Sequence, residues 1–380
     1  MRSLAGPVAR LGKFTRSIPS PSDRRAPRGL STSEIFISVG QACELYSFMI
    51  EHAGSEEALI DGRLFWDNHS CMPLRPLDES FLPQLERYRR ANVQVVTLNV
   101  GFGEQTIEQH LRMIAQFRRW VSLRMDAYRL VRSVADIEQA VRERKLAITF
   151  DIEGAGAIGD QLSLISMYYD LGVRWMLMAY NRSNLVGAGC HDAKDKGLTK
   201  FGRYVVDEME RVGMVACCSH TGRRTSLDVM ACSHNPVIFS HSNPKKLCDH
   251  PRNIDDELMR ACAATGGVVG INGVGLFLGN NDVRTENLVR SIDYAASLIG
   301  VDHVGIGLDY VFDQVELKEM LASMRDSFPV GSGYDSVPAF ATPEQLPEIA
   351  QALSRLGYTE VDVAKIMGGN HLRVARKVWK

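Results

Sequence analysis

Residues 146–153 read Leu-Ala-Ile-Thr-Phe-Asp-Ile-Glu, an apolar and β-branched run that ends on two acids, Asp151 and Glu153. A near-continuous apolar run of this length suits a strand buried on both faces, the signature of a parallel sheet. Acids have no business at the end of such a strand unless the strand points at something polar. Seven further segments share the character: Leu59–His69, Val93–Val100, Val173–Tyr180, Met214–His220, Val237–His241, Gly267–Val274 and His303–Asp309. Stretches of helical period fall between them, near 104–127, 134–143, 158–170, 201–212, 224–232, 254–264 and 284–299, and further helices are predicted near 343–355, 360–367 and 371–379. Eight strands alternating with helices predict an α/β fold, a (β/α)8 barrel of the TIM type, with one catalytic domain and C-terminal helices. No G-x-G-x-x-G turn follows the first strand, which weighs against a dinucleotide-binding sheet. Asn253, ahead of Asp255, Asp256 and Glu257, predicts a helix start with Asn253 as the cap.

A chain of 380 residues accommodates one such barrel plus an extension. Residues 1–33 form that extension: seven Lys and Arg residues face the single acid Asp23 among Ser and Pro. They read as a disordered basic leader, with a composition that also resembles a mitochondrial presequence. Residues 34–52 read as an amphipathic helix belonging to the barrel domain, which is therefore expected over 34–380. The 44 basic and 45 acidic residues nearly cancel, so no basic face for nucleic acid or for an anionic membrane is expected. No run of 18 apolar residues occurs. The eight cysteines lack paired metal-ribbon spacing and are too sparse for a disulfide scaffold, so they read as reduced thiols in a cytoplasmic setting, with mitochondrial targeting by the leader left open.

Barrel enzymes collect reactive groups at the carboxyl ends of their strands. Metal-ligand residue types recur at those ends here: Asp67, His69 and Cys71, then Asp151 and Glu153, then His220, His241 and Asp309. A lone His at a strand end is usually a hydrogen-bonded structural residue, but several apolar strands delivering His and acid to one rim call for a common explanation. Imidazole, carboxylate and thiolate are ligands that zinc prefers, so a hydrolytic zinc site is expected. Cys71 lies two residues after His69, and in extended backbone both side chains point the same way. Cys217 and Cys218 are read as small core residues, and His52, His110, His191, His234, His250, His303 and His371 as structural.

The runs Asp151-Ile-Glu-Gly-Ala-Gly-Ala-Ile158, Tyr180-Asn-Arg-Ser-Asn184, Gly197-Leu-Thr-Lys-Phe-Gly202, Cys218-Ser-His220, Phe239-Ser-His-Ser-Asn243, Asp249-His-Pro-Arg-Asn253 and Gly305-Ile-Gly-Leu-Asp309 resemble, in order, the renal (membrane) dipeptidase family of zinc metallopeptidases. The resemblance spans about residues 60–380. It implies a (β/α)8 barrel holding two zinc ions bridged by a glutamate and hydrolysing dipeptides with metal-activated water. Residue by residue, it implies Glu153 as the bridging carboxylate, His220 and His241 at the second metal, His69 at the first, Arg252 on the substrate carboxylate and Asp309 as proton shuttle. Three positions depart from the pattern. Cys71 stands where a second aspartate is expected, so that one or two metals are possible. Tyr180 stands where a substrate-contacting histidine is usual, and Val311 where many members have a second acid. The expected partners are a dipeptide-like small molecule and a second copy of the chain in a homodimer. The alternative is a catalytically weak barrel, another amidohydrolase or a binding protein, which Cys71 and Tyr180 would favour.

Overall fold

The computed structural model describes residues 64–103 and 105–380; the basic leader, the helix expected over 34–52 and the first residues of the strand expected from Leu59 lie outside the described residues. The strands are β1 (Trp66–Cys71), β2 (Val95–Phe102), β3 (Tyr128–Leu130), β4 (Leu146–Glu153), β5 (Val173–Leu177), β6 (Val215–Cys217), β7 (Val269–Ile271), β8 (Val304–Ile306) and β9 (Tyr310–Val311). β4 is buried along its whole length, as its unbroken apolar run requires.

Parallel pairing runs in the order β9, β1, β2, β4, β5, β6. It passes from β6 to the segment 237–241 through the bridge Cys217–Ile238, on to β7 through Phe239–Val269, and from β7 to β8. β8 leads through residues 307–309 into β9, which pairs with β1 again. The pairing thus returns to its start through eight strand positions, the barrel expected from the sequence. β3 lies off this path, against β4.

Helices fill the outside, and their starts are written locally. Thr106 caps the helix Ile107–Ser122 in a reciprocal capping box with Gln109, and its buried face carries Met113, Ile114, Phe117 and Trp120. The helix Asp256–Ala264 is capped not by Asn253, as the sequence suggested, but by Asp255, whose side chain accepts from Leu258 N. Asn253 instead donates through Nδ2 to the carbonyls of Cys248 and Phe277, tying two loops together. A helix at Gln314–Ser323 follows β9, capped by Asp313. Its apolar residues form no single stripe, so periodicity does not reveal it.

Four strands end earlier than their apolar runs: β5 stops at Leu177 and β7 at Ile271, and two more stop short of His220 and Asp309. The run Met214–His220 leaves the ladder after Cys217, and the run His303–Asp309 is interrupted after Ile306. In both, the terminal residue takes a left-handed backbone, φ 60° at His220 and at Asp309, which no pattern of hydrophobicity encodes. Close approach of backbones is decisive at two glycines. A Cβ on Gly270 would meet Ser240 O at 2.2 Å, and one on Gly307 would meet the same oxygen at 2.1 Å, so only glycine lets the backbone next to His241 approach β7 and the residue following β8 this closely.

Ring closure rests on Asp67. It is fully buried, accepts from Leu308 N at 2.8 Å through Oδ1, and accepts from Tyr88 OH at 2.7 Å through Oδ2. Burial pushes its carboxyl up to about 6, against the pull of these hydrogen bonds. Replacing Asp67 with Ala leaves Leu308 N buried and unpaired where the last strand meets the first and strips Tyr88 OH of one of its two oxygen partners, Ser70 Oγ remaining at 2.9 Å; it is expected to lower stability by about 3 kcal/mol in urea denaturation.

Candidate metal centre

The carboxyl ends of β1 and β4, with the residues following β6 and β8 and the segment 237–241, bring His69, Glu153, His220, His241 and Asp309 together. Glu153 Oε1 lies 3.5 Å from His69 Nε2, 3.3 Å from His220 Nε2 and 3.2 Å from His241 Nε2. The two Nε2 atoms of His220 and His241 are 3.0 Å apart, and His69 Nε2 is 3.4 Å from Asp309 Oδ1. His69 and His241 stack with ring centroids 4.0 Å apart. Two overlapping sets result, His69 with His241 and Asp309, and Glu153 with His220 and His241, each with its ligand atoms within 4.8 Å of one another.

Each imidazole is turned by its other nitrogen. His69 Nδ1 donates to Asp151 Oδ2 at 3.1 Å, and Asp151 Oδ1 in turn accepts from Asn99 Nδ2 at 2.9 Å. His220 Nδ1 donates to Asn181 Oδ1 at 2.7 Å, and His241 Nδ1 is hydrogen-bonded to Ser240 Oγ at 2.8 Å. With protons on Nδ1, the Nε2 lone pairs of His69 and His220 face Glu153 Oε1, which is buried without a hydrogen-bond partner. A knot of acceptors is stable only around a proton or a cation. This donor set of imidazole and carboxylate therefore fits a divalent metal, and zinc in particular is well matched by it.

The electrostatics point the same way. Burial holds His220 and His241 well below the ordinary imidazole range, with Arg252 adding to both, so both stay neutral and free to ligate. Burial opposes the charge on His69 too, but Asp151, Cys71 and Glu153 outweigh it and push His69 up, so its Nε2 draws a positive charge, a proton when no metal is bound and a metal ion in its place. Burial pushes the Glu153 carboxyl up to about 8, so an ionised Glu153 asks for a positive neighbour.

The remaining candidates lie around this knot. Cys71 Sγ is 3.5 Å from His69 Nε2 and 3.7 Å from Asp309 Oδ1, and burial pushes its thiol well up. Asp309 Oδ2 accepts from Asn272 Nδ2 at 2.9 Å, which leaves Oδ1 turned to the centre. Tyr180 stacks on His220 at 4.3 Å, and burial raises its hydroxyl so that it keeps its proton. Arg252 is 2% exposed, gives Nη2 to His241 O at 3.2 Å and has no partner at Nε. A cavity of about 460 Å³ opens over Cys71, Glu153, Tyr180, His220, Asp309 and Val311.

Sequence reasoning passed over four supports, Asn99, Asn181, Ser240 and Asn272. The Asn181-bearing run was visible by resemblance, but the contacts are not readable from spacing. Two histidines read as structural also border the site: His191 Nε2 meets Tyr334 OH at 3.2 Å and His250 Nε2 meets Ser332 O at 2.9 Å, pinning residues 332–334 against the rim. His52 lies outside the described residues; His110, His303 and His371 hydrogen-bond backbone carbonyls, His371 that of Ile306.

A parallel ring of strands with clustered imidazoles and carboxylates at their carboxyl ends defines a metal-dependent hydrolase. The chain belongs to the membrane dipeptidase family, peptidase family M19, which matches residues 81–323; it is a metallodipeptidase by class. Dipeptidase tcpJ of Claviceps purpurea is 29% identical over 272 residues, covering 70% of this chain and 59% of that protein. An amidohydrolase structure from Pseudomonas aeruginosa is 28% identical with a TM-score of 0.76, covering 85% of this chain and 99% of its own. A metallo peptidase from Rhodobacter sphaeroides, liganded with a phosphinate mimic of L-Ala-D-Ala, shares the fold at 20% identity and a TM-score of 0.69, covering 83% of this chain and 99% of its own. Among the described residues no helix is long and apolar enough to cross a membrane.

Removing an orienting partner tests the centre without touching a ligand. Asn181→Ala should weaken zinc binding by about 10- to 100-fold in chelator competition, with the fold retained by circular dichroism.

Proposed function

We propose that this chain is a zinc-dependent dipeptidase that hydrolyses the amide bond of a dipeptide or dipeptide-like substrate with an activated water. The observation that carries it is Glu153 Oε1, buried and unpartnered among three imidazole Nε2 atoms. His69, Cys71 and Glu153 would hold one ion, and Glu153, His220 and His241 a second. Bound zinc would supply Lewis acidity, making water acidic enough to attack near neutral pH and polarising the carbonyl.

The chain's own groups do the rest. Asp309 Oδ1, free of hydrogen-bond donors other than the Cys71 thiol, accepts the proton of the attacking water and returns it to the leaving amide nitrogen. Asn272, through Oδ2, holds it in that orientation. Tyr180 OH donates to the oxygen on which charge develops, a task suited to a group that keeps its proton but not to proton transfer. Arg252 has donors to spare and a planar fork that matches a carboxylate, so it anchors the substrate's C-terminus. Cys71 is a protonated thiol without a metal; on binding zinc it would lose that proton and supply a thiolate where the family resemblance implies a carboxylate, a change that would favour soft ions such as zinc over magnesium or manganese.

Zinc-loaded protein is expected to cleave simple dipeptides. Asp309→Asn should lower kcat by about 10²- to 10⁴-fold while zinc content measured by atomic absorption stays at the wild-type level; near-wild-type turnover would refute the shuttle role. Arg252→Lys should hurt substrates with a free C-terminus about tenfold more than their C-terminal amides in kcat/KM, and equal losses on both would argue against carboxylate recognition.

A further inference from the structure

Two cavities meet at His220, and their chemistry differs. The smaller, about 340 Å³, is lined by Arg252, Lys245 and Arg223. The larger, about 460 Å³, lies over Glu153 and Asp309, and among the described residues no Lys or Arg lines it. Its outer wall is apolar: Leu317, Met320, Leu321, Phe328, Tyr334 and Phe340. All six come from one stretch between β9 and the C-terminal helices, residues 317–340.

This wall is built in advance of any ligand. Leu317, Leu321, Phe328, Tyr334 and Phe340 are buried in one apolar cluster with Trp175 and Leu177 of the barrel. Phe328 and Tyr334 pack edge to face at 5.2 Å. His191 and His250 tie Tyr334 and Ser332 to the rim. The acids that reach the mouth are Glu316 and Glu319, and Glu316 is paired with Arg75 at 3.3 Å.

With a substrate carboxylate toward Arg252 and its amide at the Glu153 knot, the amino-side residue extends into the larger cavity. Resting on the dipeptidase reading, we propose that the substrate's amino-side residue carries a large apolar side chain, of leucine or aromatic type, packed against the wall formed by residues 317–340. A small side chain leaves this wall wet. An acidic one meets Glu153 and Asp309 at the inner end, and a basic one gives up hydration for the apolar outer wall, beside which the part-buried Glu316 is already paired with Arg75.

The test is kcat/KM of the zinc-loaded full-length chain on Gly-Gly, Leu-Gly, Phe-Gly, Lys-Gly and Asp-Gly, and on the reversed pairs Gly-Leu and Gly-Phe. Leu-Gly and Phe-Gly are expected to exceed Gly-Gly, Lys-Gly and Asp-Gly by about 10- to 100-fold, with smaller gains for Gly-Leu and Gly-Phe. Met320 is half-buried, so Met320→Glu keeps the fold and should shrink the Phe-Gly to Gly-Gly ratio about tenfold. Equal rates across the amino-side series, faster cleavage of Lys-Gly or Asp-Gly, a preference residing on the carboxyl side, or an unchanged ratio in Met320→Glu would each overturn the proposal while leaving the dipeptidase reading intact. No turnover of any dipeptide would sink that reading itself.

Discussion

One carboxylate oxygen organises this protein's chemistry. Glu153 Oε1 sits out of water, lacks a hydrogen-bond donor and is surrounded by imidazole nitrogens at 3.2–3.5 Å. Left alone, such a meeting of lone pairs is repulsive and desolvated. In a packed interior it is intelligible as a cation site. The supports for His69 and His220 follow from that: Asp151 and Asn181 point Nδ1 outward so that Nε2 points in.

Holding the knot requires departures from regular backbone. His220 and Asp309 both sit at φ 60°, and Asn181, which orients His220, at 55°. Left-handed backbone at residues other than glycine is strained by roughly 1–2 kcal/mol each. That strain is borne by a scaffold closed through β9 and β1 and locked by Asp67, whose own burial raises its carboxyl to about 6. The closing contact and the site are neighbours in the chain: Leu308 N, held by Asp67, immediately precedes Asp309. Barrel closure and placement of Asp309 at the centre are therefore the same structural event.

The three positions that depart from the pattern implied by the family resemblance lie at the edge of the centre. Cys71 touches both His69 and Asp309, Tyr180 lies flat on His220, and Val311 lines the cavity beside them. These substitutions exchange charge for polarisability and apolar surface, and the stretch after β9 continues the trend with an aromatic and aliphatic wall. That wall belongs to a cavity without Lys or Arg in its lining among the described residues, which meets a second, cationic cavity at His220.

The barrel was legible because its information is local. The buried run at 146–153, its seven counterparts and the helical period between them state strand, helix and alternation without reference to anything distant. The acids and histidines at the run ends, 153, 220, 241 and 309, named the face on which chemistry gathers, and resemblance to the family named their roles. What escaped was whatever depends on two distant pieces of chain. Helix 314–323, with no single apolar stripe, is defined by the cavity that it walls; Asn253 lost its capping role to Asp255 because tertiary partners claimed its amide; and His191 and His250 became part of the rim only because residues 332–334 fold back to them. By itself the sequence determined most of the strand segments and which residue types stand at their ends, since burial and period act within a few residues; the short strands β3 and β9 and the reduction of 237–241 to isolated bridges came only with the tertiary structure. Only the tertiary structure decided which of those side chains face one oxygen, because left-handed turns and hydrogen-bond partners up to 82 residues away set their direction.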